Sequence, residues 1–237
     1  MQRALHVVFP PRCIACADMV ADDFGLCGAC WGQTPFLSGL VCDACGTPLP
    51  GSSPWVEHCD ACLQTPPMWH RGRAALAYHG PARGLVLRLK HGDRLDVIRP
   101  AGQWMARAMR AIAPKDAMLV PVPLSRRRLR ERRYNQALLL ARAMGHHLNT
   151  PVLPDALIRP RHTKPLEDTD RAARYARLAG TIAPHPRAGA QIRGKPVVVV
   201  DDVMTSGATL TACTQAAYAA GATQVCVCVL ARAVKEP

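Results

Sequence analysis

Four Cys-x-x-Cys pairs stand before residue 63 of this 237-residue chain: Cys13/Cys16, Cys27/Cys30, Cys42/Cys45 and Cys59/Cys62. A Cys-x-x-Cys turn aims two sulfurs at one tetrahedral ion, and a second pair completes the shell. Ten residues separate the first two pairs and thirteen separate the last two. The simplest arrangement is sequential, with two zinc ribbons of four cysteines each. A cross-braced arrangement, with the first pair joined to the third, is the alternative. Gly28 and Gly46 stand where such turns need permissive backbone. Residues 12–63 are otherwise Gly/Pro-rich and show little periodicity, as expected of a segment too small for an apolar core and held by metal. Closed four-thiolate sites leave no open coordination position, so two structural Zn²⁺ ions are expected, and their loss should unfold the N-terminal part alone.

The redox compartment follows from the same cysteines. The first eleven residues hold one arginine and a short apolar patch (Leu5, Val7, Val8, Phe9), too short for a signal-peptide core. Paired Cys-x-x-Cys units without an export signal read as metal ligands in a reducing cytosol, so a cytoplasmic protein is expected. The remaining cysteines, Cys213, Cys226 and Cys228, read as buried core. No apolar stretch approaches the roughly 18 residues a membrane span needs.

Charge divides the chain. Residues 1–70 carry two basic and six acidic residues, a net of −4. Residues 71–237 carry 28 basic and 11 acidic residues, a net of +17. A boundary near residue 70 is therefore expected, with a cysteine-rich part at 1–70 and a basic domain at 71–237. The basic part is the one that attracts phosphates.

Beyond the boundary, strand and helix patterns alternate. Apolar runs at residues 74–78, 118–122, 196–200 and 225–230 read as buried strands. Helical patterns cover 100–112, 129–148 and 209–220, the last stopped by Gly221. Residues 159–177 are polar and basic without periodicity and read as a mobile loop. This alternation predicts an α/β fold with a parallel sheet flanked by helices.

The most informative run is Val197-Val198-Val199-Val200-Asp201-Asp202-Val203-Met204-Thr205-Ser206-Gly207-Ala208-Thr209. A buried strand delivers two carboxylates to its C-terminal end, where open α/β sheets bind ligands. Small and hydroxylic residues then lead into a helix. Backbone N–H groups there cradle a phosphate, and Gly207 allows close approach. Two carboxylates beside a phosphate pocket make sense if they face a polyol, since acidic side chains accept hydrogen bonds from ribose hydroxyls. Together these groups describe a ribose 5-phosphate site.

This run resembles the signature of the type I phosphoribosyltransferases. Over the whole chain the resemblance narrows to the ComF family, competence proteins linked to DNA uptake. It covers the cysteine pairs, Tyr78 through Lys90-His91-Gly92-Asp93, Val120-Pro121-Val122-Pro123-Leu124, Tyr134-Asn135-Gln136, the acidic-pair loop and Ala231-Arg232. The resemblance implies a type I phosphoribosyltransferase-like domain behind a double zinc ribbon. It implies that Asp201 and Asp202 hold the ribose hydroxyls of phosphoribosyl pyrophosphate. Thr205, Ser206, Gly207, Ala208 and Thr209 would hold its 5′-phosphate, with Pro121, Val122 and Lys90 near the same ligand. Mg²⁺ would bridge pyrophosphate and ribose oxygens, and residues 159–177 would close over the substrate. DNA-uptake proteins, a helicase among them, are the implied protein partners. The chain departs from the family pattern at Arg133, where Gly is usual, and at Leu166, Arg177 and Ile182. These departures spare the phosphate loop and weigh on turnover rather than on phosphoribosyl binding.

Arg126, Arg127, Arg128, Arg130, Arg132 and Arg133 crowd one short segment. Guanidinium groups pair bidentately with phosphate, so the segment reads either as a solvated helix start or as a surface for pyrophosphate or single-stranded DNA. Aromatic residues for base stacking are few, with Tyr134 nearest, which favours backbone-led binding. The function expected is a phosphoribosyl pyrophosphate-binding, phosphoribosyltransferase-like protein linked to DNA uptake and binding single-stranded DNA. The alternative is a non-catalytic zinc-ribbon adaptor or nucleic-acid-binding protein with a vestigial phosphoribosyl site.

Overall fold

The computed structural model describes residues 9–91, 94–160 and 180–234. The apolar patch before residue 9, Gly92 and Asp93, and residues 161–177 of the expected loop, with Leu166 and Arg177, lie outside the described residues.

Two short helices, α1 (Gly28–Gln33) and α2 (Asp60–Gln64), belong to the cysteine-rich part. Then follow β1 (Gly72–Ala77), α3 (Gly80–His91), α4 (Ile98–Met109), β2 (Met118–Pro121), α5 (Arg126–Arg132) and α6 (Gln136–Leu148). The chain continues through β3 (Leu157–Ile158), β4 (Ala183–Pro184), β5 (Pro196–Met204), α7 (Ala208–Ala219) and β6 (Gln224–Arg232). The order β1-β6-β5-β2 forms a four-stranded sheet, parallel throughout, while β3 and β4 make a separate antiparallel pair. The α/β expectation is met, for the reason the sequence suggests. β5 and β6 sit at the centre, so both of their faces are covered and their side chains run apolar without alternation.

Each face has its own core. Val197, Val199, Val227 and Val229 pack under α7 and the β3–β4 pair, while Val198, Val200, Cys226, Cys228 and Leu230 pack under α3, α4 and α6. Cys213, Cys226 and Cys228 are fully buried, as expected. Small residues bring the layers close: a Cβ on Gly102 of α4 would overlap Ala143 of α6.

Both outer edges of the sheet are covered, which removes the open strand edges that promote unwanted pairing. At β2, Leu119 accepts from the Leu153 N–H and donates to the Pro151 carbonyl, both at 2.9 Å. At β1, the segment joining the two cysteine clusters pairs antiparallel, with Leu37 N–H to the Ala75 carbonyl at 3.0 Å and Ala77 N–H to the Pro35 carbonyl at 2.9 Å. The cysteine-rich part therefore straddles this edge. Ile14 packs into the core on the α3–α4 face, and Cys42, Ala44 and Cys45 into the other.

Two expectations need correction. The helix read over 129–148 is two helices, α5 and α6, separated where Arg133 adopts a left-handed φ of 65°. Each has its own cap: Ser125 Oγ accepts from Arg128 N–H, and Asn135 Oδ1 accepts from Ala137 and Leu138 N–H. The strand read as ending at Val200 runs on to Met204, so the acidic pair lies inside β5. Between the first strand and residue 93, a stretch of mixed character in the sequence, the chain forms the helix α3, whose apolar face of Ala82, Leu85, Val86 and Leu89 is buried.

Candidate functional site

The cysteines settle into two clusters in chain order, Cys13/Cys16/Cys27/Cys30 and Cys42/Cys45/Cys59/Cys62, with the Sγ atoms of each within 4.8 Å of one another. The arrangement is sequential, not cross-braced. Zn–S bonds of about 2.3 Å in a tetrahedron place neighbouring sulfurs about 3.8 Å apart, whereas a disulfide needs about 2.05 Å. The Cys16–Cys27 and Cys45–Cys59 sulfurs are 3.6 and 3.7 Å apart, which fits Zn²⁺ in both clusters.

The two clusters repeat one construction. Cys13 and Cys42 each donate their N–H to a carbonyl five residues on, at 2.7 Å in both cases. The residue after each second cysteine, Ala17 and Gly46, takes φ 69° and closes the turn onto the first cysteine's carbonyl. Cys27 and Cys59 then stand at the starts of α1 and α2. Gly28, expected to supply permissive backbone, sits in α1 with open space around it. Ala17 holds the left-handed position instead, at a conformational cost that glycine would avoid. Gly46 has a second reason to be glycine, since a Cβ there would lie 2.8 Å from the Ala74 nitrogen of β1.

That closeness matters for stability. Asp43 pairs with Arg71 and Arg73 of the β1 region, each at 2.7 Å, and Trp69 Nε1 donates to the Ala44 carbonyl at 2.6 Å. Burial works against the Asp43 charge, but the two guanidiniums hold its carboxyl below the usual range. The second ribbon thus shares its core with the sheet, so loss of its zinc should reach the sheet as well, a revision of the expectation that only the N-terminal part would unfold.

At the other end of the strands, β2 pairs with β5 only as far as Pro121 opposite Val200, and β5 continues for four more residues. Asp201 and Asp202 occupy this overhang on opposite faces of the strand. Asp202 is buried and meets Lys90 Nζ, from the last turn of α3, at 3.0 Å. Asp201 lies on the α7 side, and its Oδ1 accepts the Asp202 N–H at 2.8 Å. The residue is partly exposed, but its carboxyl is withdrawn from water. Desolvation first, and the Asp202 charge second, push this carboxyl up to about 7.

The chain after β5 turns through Thr205, which is exposed, and half-buried Ser206 into Gly207 at φ 84°. Gly207 caps α7 without a side-chain hydrogen bond, and the contact there is Ala208 N–H to Ser206 Oγ at 3.4 Å. The first N–H groups of a helix have no intrahelical acceptors, so this end of α7 presents donors and a positive dipole end beside the acidic pair. Thr209 is half-buried in the first turn.

On the β2 side of the overhang, Pro121 and Val122 are buried and form a wall, with Val122 N–H on the Val200 carbonyl at 2.9 Å. The Tyr134-Asn135-Gln136 segment braces this wall. Tyr134 Oη donates to the Leu89 carbonyl at 2.7 Å, one residue before Lys90, and Asn135 Nδ2 donates to the Val122 carbonyl at 3.1 Å. Tyr134 is thereby engaged with α3.

The arginine segment divides. Arg126, Arg127, Arg130 and Arg133 are exposed, and Arg127 also pairs with Glu131 at 2.8 Å. Arg128 and Arg132 are half-buried on one face of α5. Desolvation, then the neighbouring charge of Arg132, lowers the Arg128 guanidinium, and desolvation, then Arg128, lowers that of Arg159. Arg159 was read as part of a mobile loop, yet it is 8% exposed and its charge acts on Asp201. Its only sequence signal is its place directly after the apolar pair of β3.

Residues 4–63 match the family model of the double zinc ribbon domain, and residues 135–236 that of the phosphoribosyl transferase domain. Competence protein F of Haemophilus influenzae is 28% identical over 228 residues, covering 94% of this chain and 97% of that protein. DNA utilization protein YhgH of Escherichia coli K12 is 28% identical over 229 residues, covering 92% and 97%. Competence protein ComFC of Bacillus subtilis is 24% identical over 196 residues, covering 81% and 77%. The resemblance to the ComF proteins thus extends along nearly the whole chain. No helix among the described residues is long and apolar enough to cross a membrane.

Proposed function

We propose that this chain, a relative of the ComF proteins through both its zinc ribbons and its phosphoribosyltransferase-type domain, binds phosphoribosyl pyrophosphate in the crevice beyond β2. The observation that carries this reading is the overhang of β5. It sets Asp201 and Asp202 beside the start of α7, whose N-cap is Gly207 and whose first N–H groups have no intrahelical acceptors. In this reading Asp201 and Asp202 accept hydrogen bonds from the ribose hydroxyls. Thr205 to Thr209 surround the 5′-phosphate with hydroxyl and N–H donors. Pro121 and Val122 form the wall on the pyrophosphate side. Lys90, held near Asp202, offsets the charge of the acidic pair until the ligand arrives. Two carboxylates are hard oxygen donors of the kind Mg²⁺ takes, so they suit a Mg²⁺–pyrophosphate ligand. When bound, Mg²⁺ would neutralise pyrophosphate charge. Transfer to an acceptor, if this chain performs it, would rest on charge stabilisation at the departing pyrophosphate.

Calorimetric titration of phosphoribosyl pyrophosphate, with and without Mg²⁺, into the wild type and an Asp201→Asn/Asp202→Asn variant tests the site. Binding by the wild type alone is expected. Equal binding by both proteins would place the ligand elsewhere.

A second property is single-stranded DNA binding at Arg126, Arg127, Arg130 and Arg133, favoured by the exposure of all four beside the crevice wall. Affinity should then fall with log salt at about −0.7 per phosphate neutralised, and replacing the four with serine should flatten that slope. An unchanged slope would move the nucleic-acid surface off α5. With relatives named for competence and DNA utilization, we infer a role in DNA uptake or use, and with it a cytoplasmic location and other competence proteins as partners. The division at about residue 70 is functional in this scheme: residues 1–70 cover the sheet edge and residues 71–237 hold the ligand.

A further inference from the structure

Arg232 ends β6, and none of the assignments above uses it. Its backbone is held from both sides. Arg232 stands opposite Ala77 of β1 and Met204 of β5, its carbonyl accepts the Tyr78 N–H at 2.7 Å, and the next residue's N–H reaches the Met204 carbonyl at 2.9 Å. Its side chain turns to the point where β5 becomes the phosphate-facing loop. Nη1 donates to the carbonyls of Met204 at 3.0 Å, Thr205 at 2.6 Å and Ala233 at 2.7 Å. Nε is buried and has no hydrogen-bond partner among the described residues. A guanidinium carrying that cost, with the two N–H groups of Nη1 shared among three carbonyls, sits where backbone direction matters most.

We propose that Arg232 is a positioning residue that sets the direction of the loop's first two peptide planes. A trans peptide points its C=O and N–H in opposite directions. Holding the Met204 and Thr205 carbonyls on the guanidinium therefore turns the N–H groups of Thr205 and Ser206 the opposite way, away from Arg232. Without that hold, the Thr205–Ser206 plane can flip and present a carbonyl oxygen to a phosphate, while the Met204 carbonyl keeps only its bond from the Ala233 N–H. Arg232 thus acts on the ligand through the backbone. This inference rests on the phosphoribosyl reading of the crevice.

The test uses the zinc-loaded full chain as wild type, Arg232→Lys and Arg232→Met. Ribose 5-phosphate is titrated by calorimetry, and the backbone amides are followed by ¹⁵N NMR. Lysine keeps donors for the carbonyls, whereas methionine keeps length without them. The expected result is at least a tenfold loss of affinity in the methionine variant and recovery of most of it in the lysine variant. Amide shifts in the methionine variant should centre on residues 204–208. Equal losses in both variants, with shifts spread through β1 and the ribbons, would make Arg232 a general support of the fold and overturn the proposal. Unchanged affinity and unchanged loop amides would overturn it too. If the wild type binds no ribose 5-phosphate, the phosphoribosyl reading fails, and the Thr205 and Ser206 amides alone decide whether Arg232 orders the loop.

Discussion

Asp201→Asn should stabilise the ligand-free protein, and by an amount that grows with pH. An ordinary aspartate releases its proton near 3.8, whereas desolvation and the Asp202 charge hold the Asp201 proton in the folded state up to about 7. The folded state therefore binds more protons than the unfolded state between these values, and stability is lost as pH rises through that window. At pH 5 the unfolded carboxyl is already mostly ionised, and the contribution against folding is about 2 kcal/mol for this shift; by pH 7.5 it levels near about 4 kcal/mol. The difference, about 2 kcal/mol, already contains the opposing pull of Lys90 and Arg159 on this charge. Asparagine keeps an oxygen for the Asp202 N–H and does not titrate. In a chain of this length each kcal/mol moves Tm by about 2–4 °C. The melting temperature of Asp201→Asn, measured against wild type by calorimetry in apo buffer, should gain about 5 °C more at pH 7.5 than at pH 5. A difference that stays constant or shrinks across that range would show Asp201 already ionised at pH 5, with its neighbours' positive charge outweighing its burial.

Two further outcomes are expected. Arg133 is exposed and carries a left-handed φ of 65°, so Arg133→Gly should raise stability by about 0.5–1 kcal/mol in denaturant unfolding; a loss instead would mean that the arginine side chain contributes more than its backbone costs. Cys45→Ser should release one Zn²⁺ and cost several kcal/mol in the sheet as well as in the ribbon, whereas Cys16→Ser, at an exposed cysteine, should leave the sheet far less affected; hydrogen exchange across β1 and β6 separates the two cases, and equal protection in both variants would contradict the shared core.

What was legible in the sequence was local, and what was not was carried by contacts between distant residues. Cysteine spacing leads to two four-thiolate clusters because a turn of two intervening residues leaves the sulfurs few places to point. The Val-rich run of β5 and the Gly207 turn are legible because each expresses one constraint, burial on both faces and a left-handed φ. The Gly position that the family pattern leads one to expect at Arg133 becomes intelligible in the same terms. It is the left-handed end of α5, so the departure is first a matter of backbone strain and only then one of chemistry. By contrast, no periodicity signals that residues 35–37 would pair with β1, that Asp43 would meet Arg71 and Arg73 across some thirty positions, or that Arg159 would be buried near Asp201. These contacts share a consequence. The second ribbon is pressed on β1, β1 is paired to β6, and β6 ends in the arginine that holds the first carbonyls of the phosphate loop. The metal part and the ligand part are thus joined by two adjacent strands, and a disturbance at Cys45 has a short, hydrogen-bonded route to Thr205. The acidic ribbons and the basic domain, so different in composition, are in this sense one mechanical unit.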